Sequence, residues 1–150
     1  MIEYTQDEKY MLLALEQAKL AQCEDEVPVG AIIVRNGEIV SSAYNTREYG
    51  KNALYHAEIK AIDEACKRLG GWRLVGCTMY VTLEPCPMCA GAIINSRIER
   101  VVYGAPDNKA GAFGTMINLT DYPLYKPQIA SGVLKDICSQ MLTDFFKKKR

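Results

Sequence analysis

The sequence predicts an α/β fold, one mixed sheet with helices on both faces. Three observations carry this expectation. Helical and strand periodicities alternate in the order α-ββ-α-β-α-β, followed by a loop and a last helix. The second and third elements are joined by Asn36-Gly37, a strong hairpin signal. The 150-residue chain is long enough to bury one core without staples, and no internal repeat, low-complexity tract or linker divides it, so residues 1–150 are expected to form a single domain.

Each element has its own local reason. Thr5 with Glu8 reads as a capping box that opens a helix. Met11, Leu15 and Ala18 recur at helical spacing, and the helix is expected to end near Gln22. "VPVGAIIVRNGEIVSSAYN" gives strand, turn and strand. "HAEIKAIDEACKRLGG" gives a helix from about His56, with Ile59, Ile62 and Cys66 on its apolar face and Gly70-Gly71 as its stop. "CTMYVTL" is a strand running straight into Glu84-Pro85-Cys86, "PMCAGAIINS" a short helix and "RVVYGA" a strand. "PDNKAGAFGTMINL" is a Gly-rich loop with room for one helical turn. Asp136 to Phe146 closes the chain as a helix, with Ile137, Met141, Leu142 and Phe145 apolar.

Composition narrows the class. Apolar residues make up 49% and charged residues 24%, an ordinary globular balance. No run of about 18 apolar residues occurs, which excludes a membrane-spanning helix. Glu3, Asp7 and Glu8 stand where a secretory signal is basic, so a cytoplasmic protein is expected. Formal net charge is zero but uneven: −5 over residues 1–50, +2 over 51–100 and +3 over 101–150. The terminal "FFKKKR" suits either a solvated end or a phosphate contact, and the overall balance does not by itself declare a nucleic-acid binder.

The six cysteines are Cys23, Cys66, Cys77, Cys86, Cys89 and Cys138. With thiols kept reduced, a CxxC pair means metal or redox chemistry, and the four isolated cysteines read as packing residues. Cys86 and Cys89 follow the third predicted strand, not the start of a thioredoxin-like unit. A four-cysteine structural zinc site lacks its second close pair, since Cys66 and Cys77 are separated by a helix end and a turn. The remaining ligand type is histidine, and His56 is the chain's single one. His56, Cys86 and Cys89 together fill three zinc positions and leave the fourth for water, the pattern of a catalytic site; thiolates and imidazole suit zinc best. Glu58 is then a proton carrier beside the metal. One difficulty stands: residues two apart on a helix diverge by roughly 200°, so His56 and Glu58 converge only if they occupy the entry turn.

HAE followed by PCxxC is the known signature of zinc-dependent deaminases. On it the chain resembles the cytidine/nucleotide deaminase superfamily. "VPVGAIIV", Asn45, "GWRL", "YVTLEPCPMCAGAI" and "RVVYGAPDNKAGA" are similar to its tRNA adenosine deaminase branch over nearly the whole chain. The resemblance implies a three-layer α/β/α cytidine-deaminase-like fold with a central mixed five-stranded sheet. It implies one zinc ion per chain on His56, Cys86 and Cys89, with Glu58 moving protons. Asn45, Val29, Asp107, Lys109 and the backbone of Ala57 and Pro85 would border the substrate. The implied reaction converts adenosine to inosine at the wobble position of a tRNA anticodon, by a homodimer. Two segments depart from the usual pattern, Asn52–Tyr55, where Tyr55 replaces a small residue, and a shortened Leu124–Pro127. Two other readings are a deaminase of a free base or nucleoside, such as guanine or cytosine, and a non-enzymatic zinc-stabilised RNA-binding module.

Overall fold

The computed structural model describes residues 3–149; Met1, Ile2 and Arg150, the last residue of the basic tail, lie outside the described residues. Elements follow in the order α1 (Gln6–Cys23), β1 (Gly30–Arg35), β2 (Glu38–Tyr44), α2 (Ala57–Leu69), β3 (Cys77–Leu83), α3 (Pro87–Asn95), β4 (Arg100–Ala105), a 3-10 turn (Leu119–Asp121), β5 (Gln128–Ala130) and α4 (Lys135–Lys148). The five-stranded sheet has the order β2-β1-β3-β4-β5. Its β2-β1-β3 half is antiparallel, and β3-β4-β5 is parallel.

Period-two alternation divides the sheet into two buried faces. Ile33 pairs with Met79 and Met79 with Val101 on one face, which packs under α2 and α3. Ile32 pairs with Tyr80 and Tyr80 with Val102 on the other, under α1 and α4. This is the three-layer mixed sheet expected. A strand buried on both faces cannot alternate apolar with polar, which is why β1 reads as a continuous apolar run.

Local chemistry sets the element ends. The Thr5–Glu8 capping box is formed in both directions, at 2.8 and 3.1 Å. Asn36 and Gly37 both take positive φ, 52° and 77°, as the hairpin turn requires. Gly70 ends α2 in the left-handed conformation, and Pro87 pre-sets the first turn of α3. Helix α1 crosses β1 so closely that a Cβ on Gly30 would lie 2.0 Å from the carbonyl oxygen of Ala14.

The structure corrects several expectations. The buried face of α2 is Ala57, Glu58, Ala61 and Ala65; Ile62 and Cys66 are half-buried at its edge. Small side chains let the helix approach β2, where the Ser41 hydroxyl donates to the Ala61 carbonyl at 2.8 Å. Ile137 is exposed because α4 seats on Cys138 and Phe145 instead. Cys23, at the end of α1, is exposed, whereas Cys77 and Cys138 are buried. The three-residue β5 falls in a segment that carries no strand pattern of its own. Among the described residues no helix is long and apolar enough to cross a membrane.

Candidate active site

Two helix N-termini converge at the C-terminal end of β3. His56 is the N-cap of α2, with extended backbone (φ −73°, ψ 153°), and Cys86 is the N-cap of α3 (φ −75°, ψ 174°). Neither side chain caps its own helix, so both are free for other work at positions where Ser, Thr or Asp would add about 1 kcal/mol of helix stability. Because His56 stands before the helix, the 200° divergence from Glu58 does not arise. Cys86 likewise precedes its helix, and Cys89 is the third residue inside α3.

The Nδ1 atom of His56 lies 3.6 Å from the Sγ of Cys86 and 3.5 Å from the Sγ of Cys89. Bonds of about 2.0–2.1 Å to nitrogen and 2.3 Å to sulfur, at a tetrahedral angle, separate the two donors by roughly 3.6 Å. Among the described residues the three donor atoms form a cluster within 4.8 Å of one another. Donor chemistry and spacing both fit one zinc ion.

The titrating groups of the cluster perturb one another. The Cys86 thiol is pulled down to about 4, first by the hydrogen bond from Cys89 and then by His56, with burial opposing. The Cys89 thiol is pushed up, first by its contact with Cys86 and then by burial. His56 is raised, chiefly by its contact with Cys86. Glu58 is 4% exposed, and burial pushes its carboxyl up to about 7. Both helix N-termini present their positive ends here, which favours thiolate over thiol.

A cavity of about 850 Å³ opens onto this cluster. His56, Glu58, Cys86, Asn45, Val29, Asp107 and Lys109 all line it. Cys89 is fully buried behind it. Ala57 and Pro85 are not among the lining residues; the Ala57 N–H donates to Asn45 Oδ1 at 3.0 Å, and the Pro85 carbonyl accepts from Ala112 at 2.9 Å. Asp107 Oδ1 is partly engaged by its own loop, accepting from the N–H groups of Lys109 and Ala110 at 2.9 and 3.1 Å.

Lining residues that sequence reasoning missed include Arg47, Leu83, Glu84, Phe146 and Lys147. Periodicity identifies the apolar stripe of α4, not which end of it faces a cavity; the exposed Phe146 and Lys147 of "FFKKKR" were the available signal. Neither departing segment lines the cavity. Tyr55 instead packs beside Gly50, where a Cβ would lie 2.4 Å from its ring, and Tyr125 sits 5.6 Å from the Arg97 guanidinium.

A mixed sheet between helix pairs, with His, Glu and a CxxC pair meeting at two helix N-termini, defines a zinc-dependent deaminase of the cytidine deaminase type. Residues 4–105 match the family described as the cytidine and deoxycytidylate deaminase zinc-binding region, and the chain belongs to that family. It is 53% identical over 148 residues to a tRNA-specific adenosine deaminase of Bacillus subtilis (strain 168), covering 97% of this chain and 92% of that one. It is 45% identical over 144 residues to the tRNA-specific adenosine deaminase of Aquifex aeolicus (strain VF5), covering 95% of each. A structure solved in studies of A-to-I editing by tRNA:A34 deaminases at the wobble position superposes with a TM-score of 0.87 at 40% identity, covering 89% of this chain and 99% of the other.

Proposed function

We propose that the protein hydrolytically deaminates adenosine to inosine at the wobble position of a tRNA anticodon. The observation that carries this reading is the placing of one buried carboxylate, Glu58, in the cavity that His56 and Cys86 line, with Cys89 completing the donor set behind it. The sequence relatives support the choice of tRNA adenosine as substrate.

His56, Cys86 and Cys89 would hold the zinc ion, which when bound activates a water for attack at C6 of the base. Glu58, raised to about 7 by burial, is suited to take a proton from that water, deliver it to N1 and then carry a proton to the departing amine. Water and adenosine thus give inosine and ammonia. Val29 and Leu83 supply apolar walls for the ring, and Asn45, its Oδ1 fixed by Ala57, offers its amide N–H groups to the base. Arg47, Lys109 and Lys147 give the cavity a cationic rim suited to phosphates. An anticodon loop leaves the base unpaired, which keeps extrusion inexpensive. The chain is read as one deaminase domain, acting as a cytoplasmic homodimer.

The test is inosine formation by the zinc-loaded protein on an anticodon stem-loop with adenosine at the wobble position, beside free adenosine, guanine and cytidine. Product in the hairpin alone is expected; turnover of a small base without hairpin product would replace the assignment with free-base deamination.

A further inference from the structure

Glu84 is 1% exposed at the end of the central strand β3 and has no part in the chemistry above. Its carboxylate accepts four hydrogen bonds, all from one stretch of chain. The N–H of Asp107 donates to Oε1 at 3.1 Å, and the hydroxyl of Thr115 donates to the same oxygen. The N–H groups of Phe113 and Thr115 donate to Oε2 at 3.0 and 3.2 Å. Gly111 is shaped to this approach: a Cβ there would lie 2.5 Å from both Cδ and Oε1 of Glu84 and 2.6 Å from the Asp107 carbonyl. The stretch so held supplies one whole wall of the cavity, Pro106 to Ala110. Beyond β4 it has little regular structure of its own, one isolated bridge between Phe113 and Asn118 and a 3-10 turn.

We propose that Glu84 is a positioning residue for substrate binding: it ties the loop 107–115 to the rigid strand that also leads to Cys86, and so sets Asp107 and Lys109 against the polynucleotide. The proposal rests on the reading that this loop meets RNA. Three of the partners are backbone N–H groups, which can only donate, and the Thr115 hydroxyl donates here, so an acceptor-only group satisfies all four. Glutamine, of nearly the same shape, turns an NH2 toward one side. Facing Phe113 and Thr115 it loses two N–H bonds. Facing Asp107 it loses that N–H, while the Thr115 hydroxyl can rotate to accept. A second lining residue, Arg47, adjoins a segment held alike: Glu26, 2% exposed, accepts the N–H groups of Glu48 and Tyr49 at 3.1 and 2.6 Å.

The experiment compares wild type, Glu84→Gln, Gly111→Ala, their combination and Glu26→Gln as zinc-loaded full-length proteins. Amide hydrogen exchange is measured by mass spectrometry, with KM and kcat on the anticodon stem-loop. Glu84→Gln and Gly111→Ala are each expected to speed exchange across 107–117 at least tenfold, with β3 and α1 unchanged. Glu26→Gln is expected to speed it only near 47–50. KM should rise about tenfold or more with a smaller change in kcat, and the combined variant should be no worse than the stronger single one, since both act on one contact. Unchanged exchange across 107–117 in both variants overturns the proposal. So does loss of zinc and kcat at constant KM, which would assign Glu84 to the cysteine turn. Gly111→Ala leaves the carboxylate intact, so the question is answered even if Glu84→Gln fails to fold. If wild type does not turn over the hairpin, the proposed function fails, while the exchange data still decide whether Glu84 holds the loop.

Discussion

The side chain of Asn45 accepts the backbone N–H of Ala57 at 3.0 Å, linking the end of β2 to the first turn of α2. The bond satisfies one of the free N–H groups at the start of the helix, where the His56 side chain caps none. It also fixes which face of the amide looks into the cavity. Asn45→Ala is expected to cost about 1–2 kcal/mol, because a buried N–H is left without a partner, and to abolish measurable deamination. Asn45→Asp keeps the acceptor and loses the donor. Its melting temperature should therefore stay near wild type while activity falls as far as in the alanine variant. An aspartate variant as active as wild type would leave Asn45 as a helix cap alone.

Glu58→Gln tests the proton carrier. The cavity, the metal donors and the helix turn are untouched by an amide of the same shape, but the proton path is cut. Turnover of the stem-loop should fall by a factor of about 10²–10⁴ or more, the range for losing a general acid–base. Zinc content should remain one per chain by elemental analysis. Residual turnover within tenfold of wild type would remove Glu58 from the chemistry.

Much of this was legible in the sequence because it is local. The Thr5–Glu8 box, the Asn36-Gly37 turn and the apolar runs of β1, β3 and β4 each carry their cause within a few residues. The metal donors were legible for a different reason: with one histidine and one CxxC pair there was little to choose from. What periodicity could not show was the N-cap geometry of His56, where extended backbone takes the side chain off the helical wheel. Nor could it find Glu84, whose partners lie 23 to 31 residues downstream and are mostly backbone N–H groups without side-chain identity. β5 was invisible because three residues cannot display an alternation; the sheet creates that strand by lending β4 as a template.

Removing the metal should loosen the fold as well as stop the reaction. With the metal bound, the donor cluster would join the N-termini of α2 and α3 through one centre. At a free zinc concentration about 1,000-fold above Kd, linkage contributes roughly 4 kcal/mol to the holo protein. Chelation is therefore expected to lower the melting temperature by several degrees, with recovery on adding zinc. Cys86→Ser and His56→Ala should start at the low value and show no recovery. A melting curve indifferent to chelator in the wild type would sink the metal assignment.

A last prediction concerns acid stability at a site remote from the chemistry. Asp7, in the first turn of α1, accepts two hydrogen bonds from the Arg100 guanidinium at 2.9 and 2.7 Å and one from the Tyr80 hydroxyl at 2.8 Å. Arg100 holds the Asp7 carboxyl below its ordinary value, with burial opposing. The sign follows from linkage. A carboxyl whose folded pKa is depressed stabilises the fold fully above its unfolded pKa, near ~3.9, and loses that contribution as pH falls through the folded value. Asp7→Asn removes the charge and the dependence together. At pH 7 it should cost about 1.5 kcal/mol, the low end for bonds to a charged group because the pair is partly solvated. Denaturant midpoints of the two proteins should then converge as pH drops below about 4. A gap that stays constant down to pH 3 would mean that the contact acts through packing and not through the charge.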